Sequence, residues 1–163
     1  MKAITICQPY AHLIVRGEKR VENRPWSTRY RGPIAIHAGL SRKWLRPGDE
    51  ECCPEMAFGA IVGLAELVSC LTIQQIRTGR GPSWLRDHEH AVGPYCLVLD
   101  TVRPLGHVVP CRGNQRIFEL PVDVMDLVSQ YDTQGCVGWR DLTGLQRPSS
   151  PSRPLCPSLE TTP

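Results

Sequence analysis

The sequence predicts an α+β fold: a small β-barrel with short flanking helices. Several short apolar segments, rich in β-branched residues, are separated by glycine and proline turns, while helical patterns are few and short. Such a sequence favours a mixed fold centred on a barrel over an alternating α/β sheet. A chain of 163 residues is long enough for one domain with a real core and a tail.

The first elements are a strand, a short helix and a polar strand. Ala3–Cys7 is apolar and β-branched, as in a strand. Pro9 suits the first turn of a helix, and Gly17 stands where helices commonly end in a left-handed residue. The following segment, Lys19–Arg24, is predicted to be a strand. Between them lies a helix with an apolar stripe at helical spacing, formed by Tyr10, Leu13 and Ile14.

The polar strand suggests a pocket. Alternation would place Arg20, Glu22 and Arg24 on one face, and Lys19 on the other. Opposite charges packed this tightly beside a helix end are typical of a polar site, although a solvated edge strand has the same composition.

The later elements follow from apolar runs and turn residues. Thr72 is predicted to cap a short helix over 73–78, Pro121 opens a helix that runs to Tyr131, and 80–90 reads as a polar loop. The predicted strands are 34–38, 59–71, 95–102, 108–111 and 117–120.

One charge, Glu66, stands inside the longest apolar strand. A buried carboxylate is costly unless it is paired or hydrogen-bonded. Alternation places Glu66 with Leu64 and Val68, which favours an inward-facing position in a barrel. A half-exposed strand with Glu66 in water is the alternative.

The composition excludes several classes of protein. No apolar run approaches the eighteen or so residues of a membrane helix, and the N-terminus lacks a signal-peptide pattern, so we expect a cytoplasmic protein with no membrane association. The eight cysteines show no CxxC spacing, which favours buried free thiols and no metal or other cofactor. Zinc is a weaker alternative, with Cys52, Cys53, His88 and His90 as donors.

The charge is uneven along the chain. The net charge is +3, but residues 1–48 hold ten Lys/Arg against two acidic residues, and the remainder holds nine against fourteen. A basic first third suggests an anionic partner such as nucleic acid. The alternative is that the acidic remainder folds over the basic part and neutralises it.

Three blocks of sequence resemble the ASCH domain family. They are QPYAHLIVRGEKRVENRPW (8–26), RYRGPIAIHAG (29–39) and GAIVGLAELVSC (59–70). The likeness covers roughly residues 2–131, so we predict an ASCH-like domain over 1–131. It implies a PUA-like barrel with a cleft beside the first helix, in a class linked to RNA and modified nucleosides.

The resemblance first implies a binding module for RNA, single-stranded nucleic acid or a modified nucleoside. The residues predicted to bind the ligand are Gln8, Pro9, Tyr10, Lys19, Arg20, Arg24, Trp26 and His37. The cations predicted to contact phosphates are Arg20, Arg24, Arg29, Arg31, Arg42, Lys43 and Arg46. Candidate stacking residues are Tyr10, Trp26, Tyr30 and Trp44. Each aromatic, and His37 at its strand end, is more often a core residue.

The second implication is an enzyme. Some small ASCH proteins resemble amidohydrolases of acetylated cytidine, with a lysine, a threonine three residues later and a glutamate on a later strand. Lys19, Glu22 and Glu66 are the matching catalytic candidates, but Glu22 replaces the threonine hydroxyl. Water activated by a carboxylate beside Lys19 would then be needed. We expect Glu22 to keep Lys19 protonated as an electrostatic anchor, which favours binding.

The end of the chain, 132–163, is predicted to be a disordered Pro/Ser-rich tail. Five of the fifteen prolines fall in 148–163, with little apolar residue content to form a core. A role of this tail in protein interaction is a third, weaker hypothesis.

We expect truncation after Leu145 to leave the melting temperature nearly unchanged, because the removed residues cannot bury enough surface to offset their ordering. Thermal unfolding of the full and shortened chains tests this. A drop of many degrees would show that the tail packs on the domain.

Overall fold

The computed structural model describes residues 1–135. The predicted tail lies outside these residues, except that 132–135 continue the last helix, four residues beyond its predicted end at Tyr131. Among the described residues, no helix is both long and apolar enough to cross a bilayer.

Six strands and four short helices make up this part of the chain. The strands are β1 (Lys2–Ile6), β2 (Val21–Arg24), β3 (Gly32–Ala38), β4 (Ala60–Thr72), β5 (Tyr95–Pro110) and β6 (Ile117–Glu119). The helices are α1 (Tyr10–Val15), α2 (Asp49–Cys52), α3 (Ile73–Arg77) and α4 (Val122–Gly135), with a 3-10 turn at Ser83–Leu85.

The strands form one mixed sheet in the order β2-β5-β4-β3-β1-β6. β1 and β3 are parallel, and every other neighbouring pair is antiparallel. Register shifts interrupt the long β4–β5 ladder, and bulges of this kind bend and twist a sheet. The result is a half-barrel with a few short helices, which confirms the predicted fold class.

The central strands bury both faces of the sheet. Ile34 and Ile36 of β3 pack in one cluster with Ile14 of α1, whereas Ala35 belongs to a cluster on the opposite face with Val128 of α4. Two-sided burial explains why β3 is apolar at consecutive positions instead of alternating. A third cluster, built on Val21, Leu71, Ile76, Leu85, Cys96 and Val98, supports the loop before β5.

The predicted break between two strands, at 103–107, is wrong. It predicted separate strands at 95–102 and 108–111, but β5 is continuous over Tyr95–Pro110. Pro104 pairs with Gly63 next to a register shift, where a missing N–H is tolerated. The strand after β5 does not form a hairpin with it, because β6 pairs with β1.

The structure has free thiols, as predicted, at Cys7, Cys53, Cys70, Cys96 and Cys111. Two of them, Cys53 and Cys96, are buried. Cys136 and Cys156 lie outside the described residues.

At Gly63, residues of both α1 and β5 pack closely against β4. A Cβ there would lie 2.6 Å from Val15 Cγ1 and 2.7 Å from the Arg103 carbonyl. We expect Gly63→Ala to destabilise the protein by about 1–3 kcal/mol through overpacking. Urea unfolding measures the change. Gly106→Ala, whose Cβ would meet only the Tyr131 carbonyl at 3.8 Å, is the control. Equal stability of the two variants would contradict this packing.

Candidate functional site

A buried lysine, Lys19, is the centre of the candidate site. α1 ends before Gly17, which has φ 78°, and the Lys19 N–H then donates to the Leu13 carbonyl (3.1 Å). This turn carries the Lys19 side chain inward, where it is 2% exposed. Because β2 begins only at Val21, the predicted alternation does not apply to Lys19. Its side chain turns towards Glu22 instead of the opposite face.

Glu22 joins two cations. Its Oε2 accepts from Lys19 Nζ (2.5 Å), and its Oε1 lies 3.1 Å from Arg24 Nη2. Lys19 also donates to the Val21 carbonyl, and Arg24 donates to the Thr5 carbonyl (2.5 Å). Charges this far from water are tolerated when they are paired and hydrogen-bonded. We refer to Lys19, Glu22 and Arg24 as the polar cluster.

Burial dominates the ionisation of Lys19. Removal from water lowers its pKa, Glu22 opposes that effect, and Arg24 adds to it. We expected Glu22 to determine whether Lys19 is charged, but the effect of Glu22 is smaller than that of burial and opposes it. Protonation of Lys19 at pH 7 stays a prediction.

Arg24 retains an unused donor. Its Nε is buried and has no hydrogen-bond partner among residues 1–135. Its guanidinium carbon lies 6.0 Å from the ring centre of Trp26, and that of Arg116 lies at the same distance from the same ring. No sequence pattern pointed to Arg116, which is brought here by a contact across some 90 residues. An acceptor group of a ligand would satisfy the free Nε.

A row of aromatic rings adjoins the polar cluster. Lys19 Nζ lies 5.4 Å from the Tyr10 ring centre. From Tyr10, ring contacts lead to Trp44 (6.4 Å) on one side and to His90 (6.4 Å) on the other. They continue from His90 to His88 (5.7 Å), to Trp84 (5.3 Å) and to the Arg20 guanidinium (4.7 Å). The aromatic row therefore consists of Trp44, Tyr10, His90, His88 and Trp84.

Sequence reasoning missed Trp84, and it considered His88 and His90 only as zinc donors, because all three lie in a loop without periodicity. Asn23 of β2 ties this loop down: its Nδ2 donates to the His90 carbonyl (2.7 Å), and its Oδ1 accepts from Gly93 N (2.8 Å). A Cβ at Gly93 would lie 2.6 Å from Asn23 Cβ, so glycine permits the close approach. Asn23 within the polar strand was the available signal.

Burial favours the neutral form of both histidines of the row. Burial lowers the pKa of His88 and His90 below the usual 6.5, and in each case a neighbouring cation adds to the effect. A neutral imidazole presents one donor, one acceptor and an aromatic face.

The other predicted ligand residues near α1 are structural. Gln8, 1% exposed, accepts from the His12 N–H (2.9 Å) and donates to the Ala57 carbonyl (2.7 Å). Pro9 is the N-cap of α1. Both therefore hold the helix that carries Tyr10.

His37 is a core residue held by one nitrogen. Its Nε2 bonds the Cys111 carbonyl (2.9 Å), and its ring packs edge-on against Phe118 (6.4 Å). Burial lowers its pKa. Within the part of the chain that the structure describes, His37 makes no contact with the polar cluster. This agrees with the interpretation of His37 as a core residue.

Glu66 does not converge with Lys19. It shares its face of β4 with Leu64, as predicted, but Leu64 packs on the α4 side of the sheet. There Glu66 lines a separate cavity of about 180 Å³ with Met1, Thr101 and Arg103. The expected grouping of Lys19, Glu22 and Glu66 is therefore wrong for Glu66, because the sheet has two buried faces.

Acidic residues from later in the chain neutralise part of the basic first third. Arg20 pairs with Asp100 (2.9 Å) and Arg42 with Glu50 (3.0 Å). Arg31 donates to the carbonyls of its own loop. Neutralisation by the acidic remainder therefore applies to Arg20 and Arg42, and an anionic partner stays a prediction.

Comparisons with known proteins agree on one family. The model of the ASCH domain family matches residues 4–102. Activating signal cointegrator 1 from Homo sapiens and its counterpart from Mus musculus are each 27% identical over 130 residues, which is 72% of this chain. The chain spans only 22% of the length of these relatives.

One solved structure supports the fold. The crystal structure of a tyrosine-to-phenylalanine variant of the Zymomonas mobilis ASCH protein has a TM-score of 0.50 at 15% identity, covering 79% of this chain and 96% of that one. Another crystal structure of the Zymomonas mobilis protein has a TM-score of 0.48 at 17% identity, covering 78% and 93%.

Removal of the shared carboxylate should cost stability. We expect Glu22→Gln to destabilise the protein by about 3–5 kcal/mol, because two cations lose their counter-charge away from water. Glu89→Gln, which changes a 64% exposed carboxylate, should be nearly neutral.

Urea unfolding of Glu22→Leu, Lys19→Met and the double variant gives the coupling between the two side chains. We expect the double variant to be less destabilised than the sum of the single ones. Additive effects would show that the buried pair does not form.

Proposed function

This chain belongs to the ASCH domain family, and from that premise we propose that it binds single-stranded RNA, with one nucleotide seated at the polar cluster. The family, with its PUA-like fold, is associated with RNA binding. The observation that carries the proposal is the continuous aromatic row beside a buried, partly unsatisfied set of cations.

The aromatic row supports binding of unpaired bases. Trp44 is 53% exposed at one end of the row, and the other four rings are partly exposed. Bases that are not paired stack on aromatic side chains, with about 1–3 kcal/mol per base. The rings contact one another tilted or edge-on, so a base would stack on the exposed part of a ring and not between two rings.

The polar cluster supports recognition of a base edge. Arg24 Nε offers an N–H, and the Glu22 carboxylate can accept beyond its present contacts. Donors and acceptors together match the Watson–Crick edge of an unstacked base. A modified nucleoside with an added carbonyl would find the same Arg24 donor and the nearby Lys19.

Cations at both ends of the row support contact with the phosphates. Arg20 is 30% exposed beside Trp84, and Lys43 lies 5.4 Å from the Trp44 ring centre. Neither a 2′-hydroxyl contact nor a sequence preference follows from these residues. The choice of RNA over DNA rests on the family.

Titration of short single-stranded RNA at several salt concentrations tests the proposal. We expect Trp44→Ala to weaken binding roughly 5- to 100-fold, since it loses about 1–3 kcal/mol of stacking. We expect Lys43→Ala to lower the slope of log affinity against log salt by about one unit, and Arg20→Ala to lower it less, because Asp100 already neutralises Arg20. Arg24→Ala should weaken binding even at low salt, because the loss of its unpaired Nε donor is not a screened phosphate contact.

Two variants serve as controls. Leu40→Ala removes another exposed apolar side chain (73% exposed), and Arg77→Ala removes an exposed arginine of α3. Both should bind as the unmodified chain does. Absence of RNA binding at low salt would refute the proposal. Turnover of acetylated cytidine that disappears in Lys19→Ala would make the chain an enzyme instead.

A further inference from the structure

A second cavity, of about 460 Å³, lies against the other face of α1. His12, Val15 and Arg16 line it from the helix, and Pro104 and Val108 line it from β5. At 3.6 residues per turn these three helix positions point away from Tyr10. This cavity is therefore distinct from the polar cluster and the aromatic row.

Three potential metal ligands meet at this face. One ligand atom from each of His12, Cys53 and Glu55 can be chosen so that all lie within 4.8 Å of one another. His12 Nε2 is 3.5 Å from Glu55 Oε1. Cys53 is fixed at the end of α2, where its N–H donates to the Asp49 carbonyl (3.0 Å).

His12 lacks a partner for a buried polar atom. The residue is 6% exposed, and its Nε2 has no hydrogen-bond partner among residues 1–135, although it points towards Glu55. An unsatisfied buried nitrogen is costly and rare in native proteins. Coordination of a cation is one of the arrangements that removes this cost.

We propose that His12, Cys53 and Glu55 bind a Zn²⁺ ion. Imidazole nitrogen, thiolate sulfur and carboxylate oxygen are the three donor types that zinc takes in proteins. His12 and Glu55 both line the cavity, so a fourth position opens on it. Three protein ligands and an open position are typical of zinc sites that bind water or a substrate group.

Arg16 is the group that opposes a cation here. Its guanidinium lies 3.6 Å from Glu55 Oε1. Arg16 also donates to Glu18 (2.7 Å), and its side chain is 53% exposed. It therefore has another carboxylate partner and room to move when Glu55 turns to the metal.

Of the zinc donors considered from the sequence, only Cys53 belongs to this site. His88 and His90 belong to the aromatic row, whereas Cys53 faces His12 across a sequence separation of 41 residues. Ligand spacing along the chain gave no sign of the site because a helix and a loop supply it.

Titration with Zn²⁺ and with Co²⁺, a spectroscopic substitute, tests the proposal on the full chain. We expect one tightly held ion per chain, and with Co²⁺ a sulfur-to-metal charge-transfer band in the near ultraviolet. Cys53→Ser should abolish that band, and Cys52→Ser, which changes the exposed neighbouring thiol, should retain it. His12→Gln and Glu55→Gln should each weaken binding at least about 10-fold.

Glu55 is 55% exposed, so Glu55→Gln keeps the test meaningful where a buried substitution impairs folding. Circular dichroism establishes that each variant is folded. The zinc site would be refuted if the unmodified chain showed no saturable binding. It would also be refuted if Cys53→Ser and Glu55→Gln bound the metal as tightly as the unmodified chain does. RNA titration in the presence of a chelator keeps this outcome separate from that of the RNA proposal.

Discussion

The buried ion pair between Lys19 and Glu22 is the constraint on which the site depends. A lysine that is 2% exposed needs acceptors close by, and Glu22 and the Val21 carbonyl provide them only if the chain reverses directly after α1. Gly17 permits that reversal. The same reversal starts β2 at the sheet edge, where Asn23 can anchor the loop that carries most of the aromatic row. The pairing of Lys19 with Glu22 thus requires the chain reversal after α1, and that reversal places the strand that anchors the loop of the aromatic row.

α1 separates two environments of different chemistry. Tyr10 faces the polar cluster and the aromatic row, whereas His12 and Arg16 face a cavity that reaches β5. Ile14 anchors the helix between them in the core beneath. Gln8 bonds both the helix and the Ala57 carbonyl, so it links the first strand, the helix and the loop of the second cavity. A six-residue helix can serve two sites because its ends and its apolar stripe are held independently.

Much of the fold could be predicted from the sequence because local rules apply to it. The apolar run of β3 and the Thr72 capping box, with Gln75 as its partner, follow from burial and from orphan donors at a helix start. The errors arise where distant contacts decide. Pro104 reads as a strand end unless the register shift opposite Gly63 is known. Alternation assigned Glu66 to the correct face of its strand, but it could not show that the sheet is covered on both faces.

The contacts of Glu22 also help to distinguish a ligand-binding site from a catalytic one. A side chain that acts as base or nucleophile must be free to take a proton or attack a carbonyl. Each oxygen of Glu22 already has one cation partner, Lys19 or Arg24, so only its second lone pair can accept from a ligand, and Lys19 itself is engaged by two acceptors. With Glu66 on the other face of the sheet, no second carboxylate among the described residues reaches Lys19. Such a cluster is rigid and polar, with its one unused donor on Arg24, and these are the properties of a recognition site more than of a catalytic one.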